Sequence, residues 1–143
     1  MKKTYYTLVL AALLMLAGTA LAEQGRGLNV VVTSADRQTQ MMAMVLSVQT
    51  MKKHGKEINM MLCGAAGDLA LQSTNTETFL PPKKSPTMLL NTLLKMGASI
   101  QVCPLYLPNT GKTTDDLIEG ITVAKPPIVA GKLLDKDYQN LTF

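Results

Sequence analysis

The chain is 143 residues long, 47% hydrophobic and 17% charged, with a formal net charge of +4. It has no Trp and no cluster of Lys and Arg interleaved with aromatics, which argues against nucleic acid as a partner. One histidine, His54, and two cysteines, Cys63 and Cys103, spaced far beyond C-x-x-C, argue against a His-rich metal centre, a zinc knuckle and a thioredoxin motif.

The N-terminus reads as a secretory signal. Met1-Lys2-Lys3 is a basic head, residues 8–16 are an apolar middle, and Ala20-Leu21-Ala22 is an A-x-A exit followed by polar Glu23-Gln24. The apolar middle is shorter than the roughly 20 residues a membrane helix needs, so cleavage after Ala22 is expected rather than a retained anchor. That divides the chain into a signal peptide, 1–22, and one α/β domain, 23–143, exported to a bacterial periplasm, with no membrane span after cleavage. Lys2 and Lys3 leave with the signal and lower the net charge by two. An oxidising compartment permits a disulfide.

The rest of the chain alternates apolar runs with helical patterns. Residues 28–32 read as a strand buried on both faces, as in a parallel sheet covered by helices. Ser34 is placed to cap a helix with Asp36 in its first turn. Met41, Met44, Val45 and Val48 give that helix one apolar face, and Lys52, Lys53, His54 and Gly55 end it. A second strand is expected over 58–63, followed by a turn at 64–68 that can lead into a short helix. The polar stretch 72–84 is long for a connection in a compact domain, which marks it as functional or mobile. Ser85-Pro86 restarts a helix that runs to about Met96 and stops at Gly97. The third strand is 99–103, ended by Pro104, and 105–113 is a loop. Residues 114–118 open another helix, closed by Gly120. A fourth strand at 121–123, a brief helix from Pro126-Pro127 through Leu134, and a fifth strand at 139–143 complete the order. Such alternation predicts a mainly parallel sheet between two helix layers.

In such sheets, sites gather beyond the carboxyl ends of the strands. Cys63 ends the second strand and Cys103 the third, so their following loops share one edge. A thiol there can meet helix N-termini and cations, which stabilise thiolate; Lys112 and the amides near Thr114 are the candidates beside Cys103. The plain alternative is that either cysteine is a small buried hydrophobe, an alternative that fits Cys63 better, since it ends the apolar run Met60-Met61-Leu62.

Two segments carry a resemblance. Residues 96–103, Met-Gly-Ala-Ser-Ile-Gln-Val-Cys, are followed by residues 114–121, Thr-Asp-Asp-Leu-Ile-Glu-Gly-Ile. Together they resemble the DsrE/DsrF-like sulfur-relay family, with its helix ending in Lys-x-Gly, its strand ending in Val-x-Val-Cys, and its Asp-Leu-Ile-Glu-Gly-Val helix start. The segments 28–55 and 58–70 and the tail through Phe143 agree, so the resemblance spans nearly all of 23–143. It implies a three-layer α/β/α sandwich with a mainly parallel five-stranded sheet, and homo-oligomers such as trimers or hexamers. It also implies that the cysteine at the position of Cys103 carries persulfide sulfur. The chain departs from the family in its export signal and in Cys63, which the family motif does not require. Neighbouring strands would bring Cys63 and Cys103 within disulfide range, and such a bond would block persulfide chemistry or act as a switch.

Other signals lead nowhere. Gly111-Lys112-Thr113 resembles the end of a P-loop, but Tyr106 stands where the first Gly is required. Gly25-Arg26-Gly27 precedes its strand rather than following it. Met41, Met42, Met44 and Met51 on one helix and Met60 and Met61 on a strand fit core packing better than Cu(I) ligation. His54 is placed to satisfy late helix carbonyls, and no cofactor is called for. Two functions compete. The first is a periplasmic sulfur carrier, sulfurtransferase-like, using Cys103 with Cys63 as second thiol or disulfide partner. Its partners would be a donor or acceptor protein or a small sulfane-sulfur compound. The second is a non-catalytic oligomeric binding or assembly module with structural cysteines.

Overall fold

The computed structural model describes residues 25–81 and 83–143. The signal peptide read at 1–22 and its cleavage site lie outside them. Five strands, β1 (Gly27–Val32), β2 (Glu57–Leu62), β3 (Ser99–Val102), β4 (Thr122–Val123) and β5 (Tyr138–Thr142), run parallel in the order β4-β3-β2-β1-β5. The helices are α1 (Arg37–His54), α2 (Pro86–Lys95), α3 (Tyr106–Thr110) and α4 (Pro126–Leu133). Two 3₁₀ segments, Gly64–Ala70 and Thr114–Asp116, lie between them.

One face of the sheet holds the core. The two-residue period of a strand puts Val30, Val32, Ile58, Met60, Leu62, Ile100 and Val102 on this face, all buried. Against them pack Met41, Met44 and Val48 from α1 and Leu90 and Leu93 from α2. Each such side chain contributes about 1.5–3 kcal/mol on leaving water, so this layer carries most of the fold's apolar stabilisation.

The opposite face is mixed and thinly covered, with Val31 and Met61 beside a row of polar residues. Asn140, Asn29, Asn59 and Ser99 stand opposite one another across β5, β1, β2 and β3. Asn29 Nδ2 donates to Asn140 Oδ1 at 2.9 Å and to the Lys132 carbonyl at 2.6 Å, and Asn59 Nδ2 donates to Asn29 Oδ1 at 3.1 Å. Lys132 Nζ reaches Asn59 Oδ1 at 2.7 Å. This row fixes α4, among the described residues the only helix on that face and one with no buried residue. The sandwich has three layers, but hydrogen bonds hold the thin one where apolar burial holds the thick one.

Local chemistry differs from expectation at three places. Asp36, not Ser34, caps α1: its carboxylate accepts from the Thr39 amide at 2.7 Å, and Ser34 Oγ accepts from the Asp36 amide at 3.1 Å. The residues expected to open a helix at Thr114 form a 3₁₀ turn. Leu117 bridges to Leu71, and the Ile118 amide donates to Ala70 O, which draws the chain away from helical geometry. The loop expected at 105–113 contains α3. The cap of α2 is as read: Ser85 Oγ accepts from the Met88 amide, with Pro86 at the first helical position. The long 72–84 connection is tied down by Gln72 Nε2 donating to Leu117 O, by a Thr76–Thr87 hydroxyl contact and by the Phe79–Lys84 bridge.

Candidate functional site

β2 and β3 end in register, with Leu62 opposite Val102. A cysteine is the next residue of each. The two cysteines make matching backbone bonds. Cys63 N–H donates to Val32 O on β1 and Cys103 N–H to Leu62 O on β2, both at 2.9 Å. Cys63 O accepts from Ala66 N–H at 3.1 Å and Cys103 O from Tyr106 N–H at 3.0 Å. Each cysteine therefore closes its strand and opens the turn that leaves it. Continuing the ladder one step sets their Cα atoms about 4.8 Å apart, the spacing of neighbouring strands, with both Cβ atoms on the same side of the pleat.

The thiols interact. The Cys63 thiol is pushed up to about 11, first by burial, then by its hydrogen bond with the Cys103 side chain and by the charge Cys103 carries when ionised. At neutral pH Cys63 therefore keeps its proton. Both cysteines are free and half-buried.

Cys103 opens onto a cleft of about 500 Å³. One wall is the 3₁₀ segment, through Gly64, Ala65 and Asp68; the other is α3, through Tyr106, Asn109 and Thr110. Cys63 does not line it. The walls are clamped together, because the Tyr106 hydroxyl donates to Asp68 Oδ1. Burial, then the Asp68 hydrogen bond and charge, push the Tyr106 hydroxyl well above its ordinary range, so it keeps its proton. The Tyr106 ring lies on Gly67, where any Cβ would overlap it. Leu105, 68% exposed, forms an apolar lip.

Of the four residues singled out in the sequence, the fold brings Cys63 and Cys103 together. Lys112 and Thr114 are not in the cleft lining. Lys112 sits near Asp116, whose carboxyl is held below its ordinary value, first by the Thr113 amide and in lesser part by the Lys112 charge. Thr114 is exposed on the 3₁₀ turn. Sequence reading passed over Asp68 and Tyr106; the signal available was Gly111, which ends α3 in a left-handed conformation and marks a helix just before it. Among the described residues, no group of three or more His, Cys, Asp or Glu is placed to hold a metal ion, and no helix is long and apolar enough to cross a membrane.

This architecture recurs in solved structures. The chain superposes on the ychN protein from E. coli with a TM-score of 0.68 and 16% identity, over 82% of this chain and 99% of that one. MTH1491 from Methanobacterium thermoautotrophicum, a protein of unknown function, gives 0.58 and 13%, over 83% and 99%. BT1422 from Bacteroides thetaiotaomicron, also of unknown function, gives 0.57 and 19%, over 88% and 100%. The chain has the YchN-like fold. That fold is compatible with the DsrE/DsrF-like resemblance. No family model matches the chain, and no curated protein matches it. Identities this low carry the YchN-like architecture and not an activity, so the chemistry rests on the cysteine edge itself.

Proposed function

We propose that this protein is a periplasmic sulfur carrier in which Cys103 takes up sulfane sulfur as a persulfide and passes it to an acceptor thiol. The observation that supports this reading most directly is the setting of Cys103. It is half-buried, at the carboxyl end of a central parallel strand, and open to a cleft, which is where open α/β sheets carry their ligands. Its side chain is hydrogen-bonded to the adjacent protonated Cys63.

The step balances without a cofactor. The Cys103 thiolate attacks the outer sulfur of a donor R–S–SH, a Cys103–sulfur bond forms, and the donor S–S bond breaks to leave R–S⁻. Transfer to an acceptor thiolate is the same exchange in reverse. The donor is a small hydropersulfide or a persulfidated partner protein. Export by the N-terminal signal and assembly into a trimer or hexamer belong to the same proposal. Met42 and Leu46, one turn apart and exposed on α1, support assembly.

The test follows the donor. Reduced protein is mixed with one equivalent of a hydropersulfide, and the released R–SH is counted. One R–SH per chain is expected from wild type and none above background from Cys103→Ser. Equal release from both would remove Cys103 from the chemistry and leave the assembly module as the better reading.

A further inference from the structure

Sulfur carriage needs one thiol, and the fold supplies two at one edge. Cys63 does not line the cleft, so an incoming donor meets Cys103 first. Yet Cys63 stands one ladder step from Cys103, in the position that pairs neighbouring strands. The Cα separation of about 4.8 Å falls inside the roughly 4.4–6.8 Å that a disulfide spans. Both Cβ atoms leave the pleat on the same side. Closing the bond therefore asks for side-chain rotation rather than movement of a strand.

We propose that Cys63 is a resolving thiol that discharges the Cys103 persulfide, releasing hydrogen sulfide and closing a Cys63–Cys103 disulfide. The inference rests on the persulfide reading of Cys103. In the step, Cys63 sulfur attacks the inner sulfur of Cys103–S–SH. The Cys63–Cys103 S–S bond forms and the bond to the outer sulfur breaks. The outer sulfur leaves as HS⁻ and takes the Cys63 proton to become H₂S. The outer sulfur gains one electron in going from persulfide to sulfide, the Cys63 sulfur loses one in going from thiol to disulfide, and the Cys103 sulfur keeps its oxidation level. An external dithiol then reduces the disulfide by thiol–disulfide exchange. The net reaction converts R–S–SH and a dithiol into R–SH, H₂S and the dithiol's disulfide, which is dithiol-dependent persulfide reduction.

Acceptor thiols attack the outer sulfur and Cys63 attacks the inner one, so the two fates compete.

The test is a single turnover of fully reduced protein with one equivalent of a small hydropersulfide and no other reductant. R–SH, sulfide and intact mass are followed together. Wild type is expected to release one R–SH, then one sulfide per chain, and to end two hydrogens lighter. Sulfide release should be first order, with a rate independent of protein concentration. Cys63→Ser and Cys63→Ala should release R–SH, lose the sulfide burst and retain one added sulfur. Wild type that keeps the added sulfur and releases no sulfide would overturn the resolving role while leaving carriage intact. So would release that scales with protein concentration. No R–SH from any form would overturn carriage itself. The wild-type arm decides the matter even if a variant does not fold.

Discussion

The Tyr106 hydroxyl donates to the Asp68 carboxylate, joining α3 to the 3₁₀ segment that leaves Cys63. The bond ties the two walls of the cleft together. Tyr106→Phe keeps the ring on Gly67 and removes the donor. Asp68 is exposed and water replaces the lost partner, so the expected cost is about 0.5–1.5 kcal/mol. Gly67→Ala forces a Cβ into the ring and should cost about 1–3 kcal/mol. Urea unfolding of the two variants should rank them in that order; a neutral Gly67→Ala would contradict the close packing.

Cys63 makes stability depend on alkaline pH. Its folded value of about 11 lies above the ordinary thiol value of 9.0. The folded state therefore holds a proton that the unfolded state gives up. The contribution is complete below about pH 9 and is lost as pH rises through about 11. Tyr106 and Tyr138 are shifted in the same direction, so the informative quantity is the difference between wild type and Cys63→Ala in urea midpoints across that range. Wild type should lose stability more steeply. Parallel curves would mean that Cys63 is not shielded.

The same protonation orders thiol reactivity. Limited alkylation of native protein near neutral pH, mapped by peptide mass, should label Cys103 before Cys63, because only thiolate reacts. Preferential labelling of Cys63 would reverse the assignment of attacking and shielded thiol.

Much of the fold is legible along the chain because its signals are local. The run Leu28, Val30, Val32 and the cap Ser85-Pro86 need no distant partner to be recognised. What escaped depends on contacts far apart in sequence. Thr114-Asp115-Asp116 has the acidic start of a helix, yet Leu117 pairs with Leu71 and that bridge prevails. Pro104 and Pro108 disguise α3 as a loop. The cysteines announce themselves as strand ends, but their adjacency depends on β2 and β3 being neighbours in register, which spacing along the chain does not encode. Asn29, Asn59 and Asn140 lie one in each of β1, β2 and β5, and only the register turns those three residues into a ladder.

That ladder yields a stability prediction. Asn29 is buried and serves Asn140, Asn59 and the Lys132 carbonyl at once. Asn29→Ala leaves those groups short of partners and should cost about 1–3 kcal/mol. Because α4 buries no residue of its own, the loss should appear as faster amide exchange within Pro126–Leu133 than within α1. Unchanged exchange in α4 would show that the row is not its anchor.

Asp36 and Ser34 give a direct comparison of caps. Asp36→Ala should destabilise the protein more than Ser34→Ala, since only Asp36 accepts from the α1 amide of Thr39. The Thr39 amide, then its hydroxyl, hold the Asp36 carboxyl below its ordinary 3.8. Its contribution is present above that value and is lost as pH falls through the lower folded value. Acid titration of wild type against Asp36→Ala should reveal the difference; coincident acid transitions would contradict the cap.

The most direct measurement of sulfur carriage uses Cys63→Ser, in which a loaded sulfur has no neighbouring thiol to discharge it. The reduced variant is exposed to one equivalent of hydropersulfide, desalted and treated with cyanide, while a parallel sample is digested for peptide mass. The expected result is one thiocyanate per chain and one extra sulfur atom on the peptide containing Cys103. Absence of both, with R–SH left unreleased, would contradict sulfur carriage at this edge.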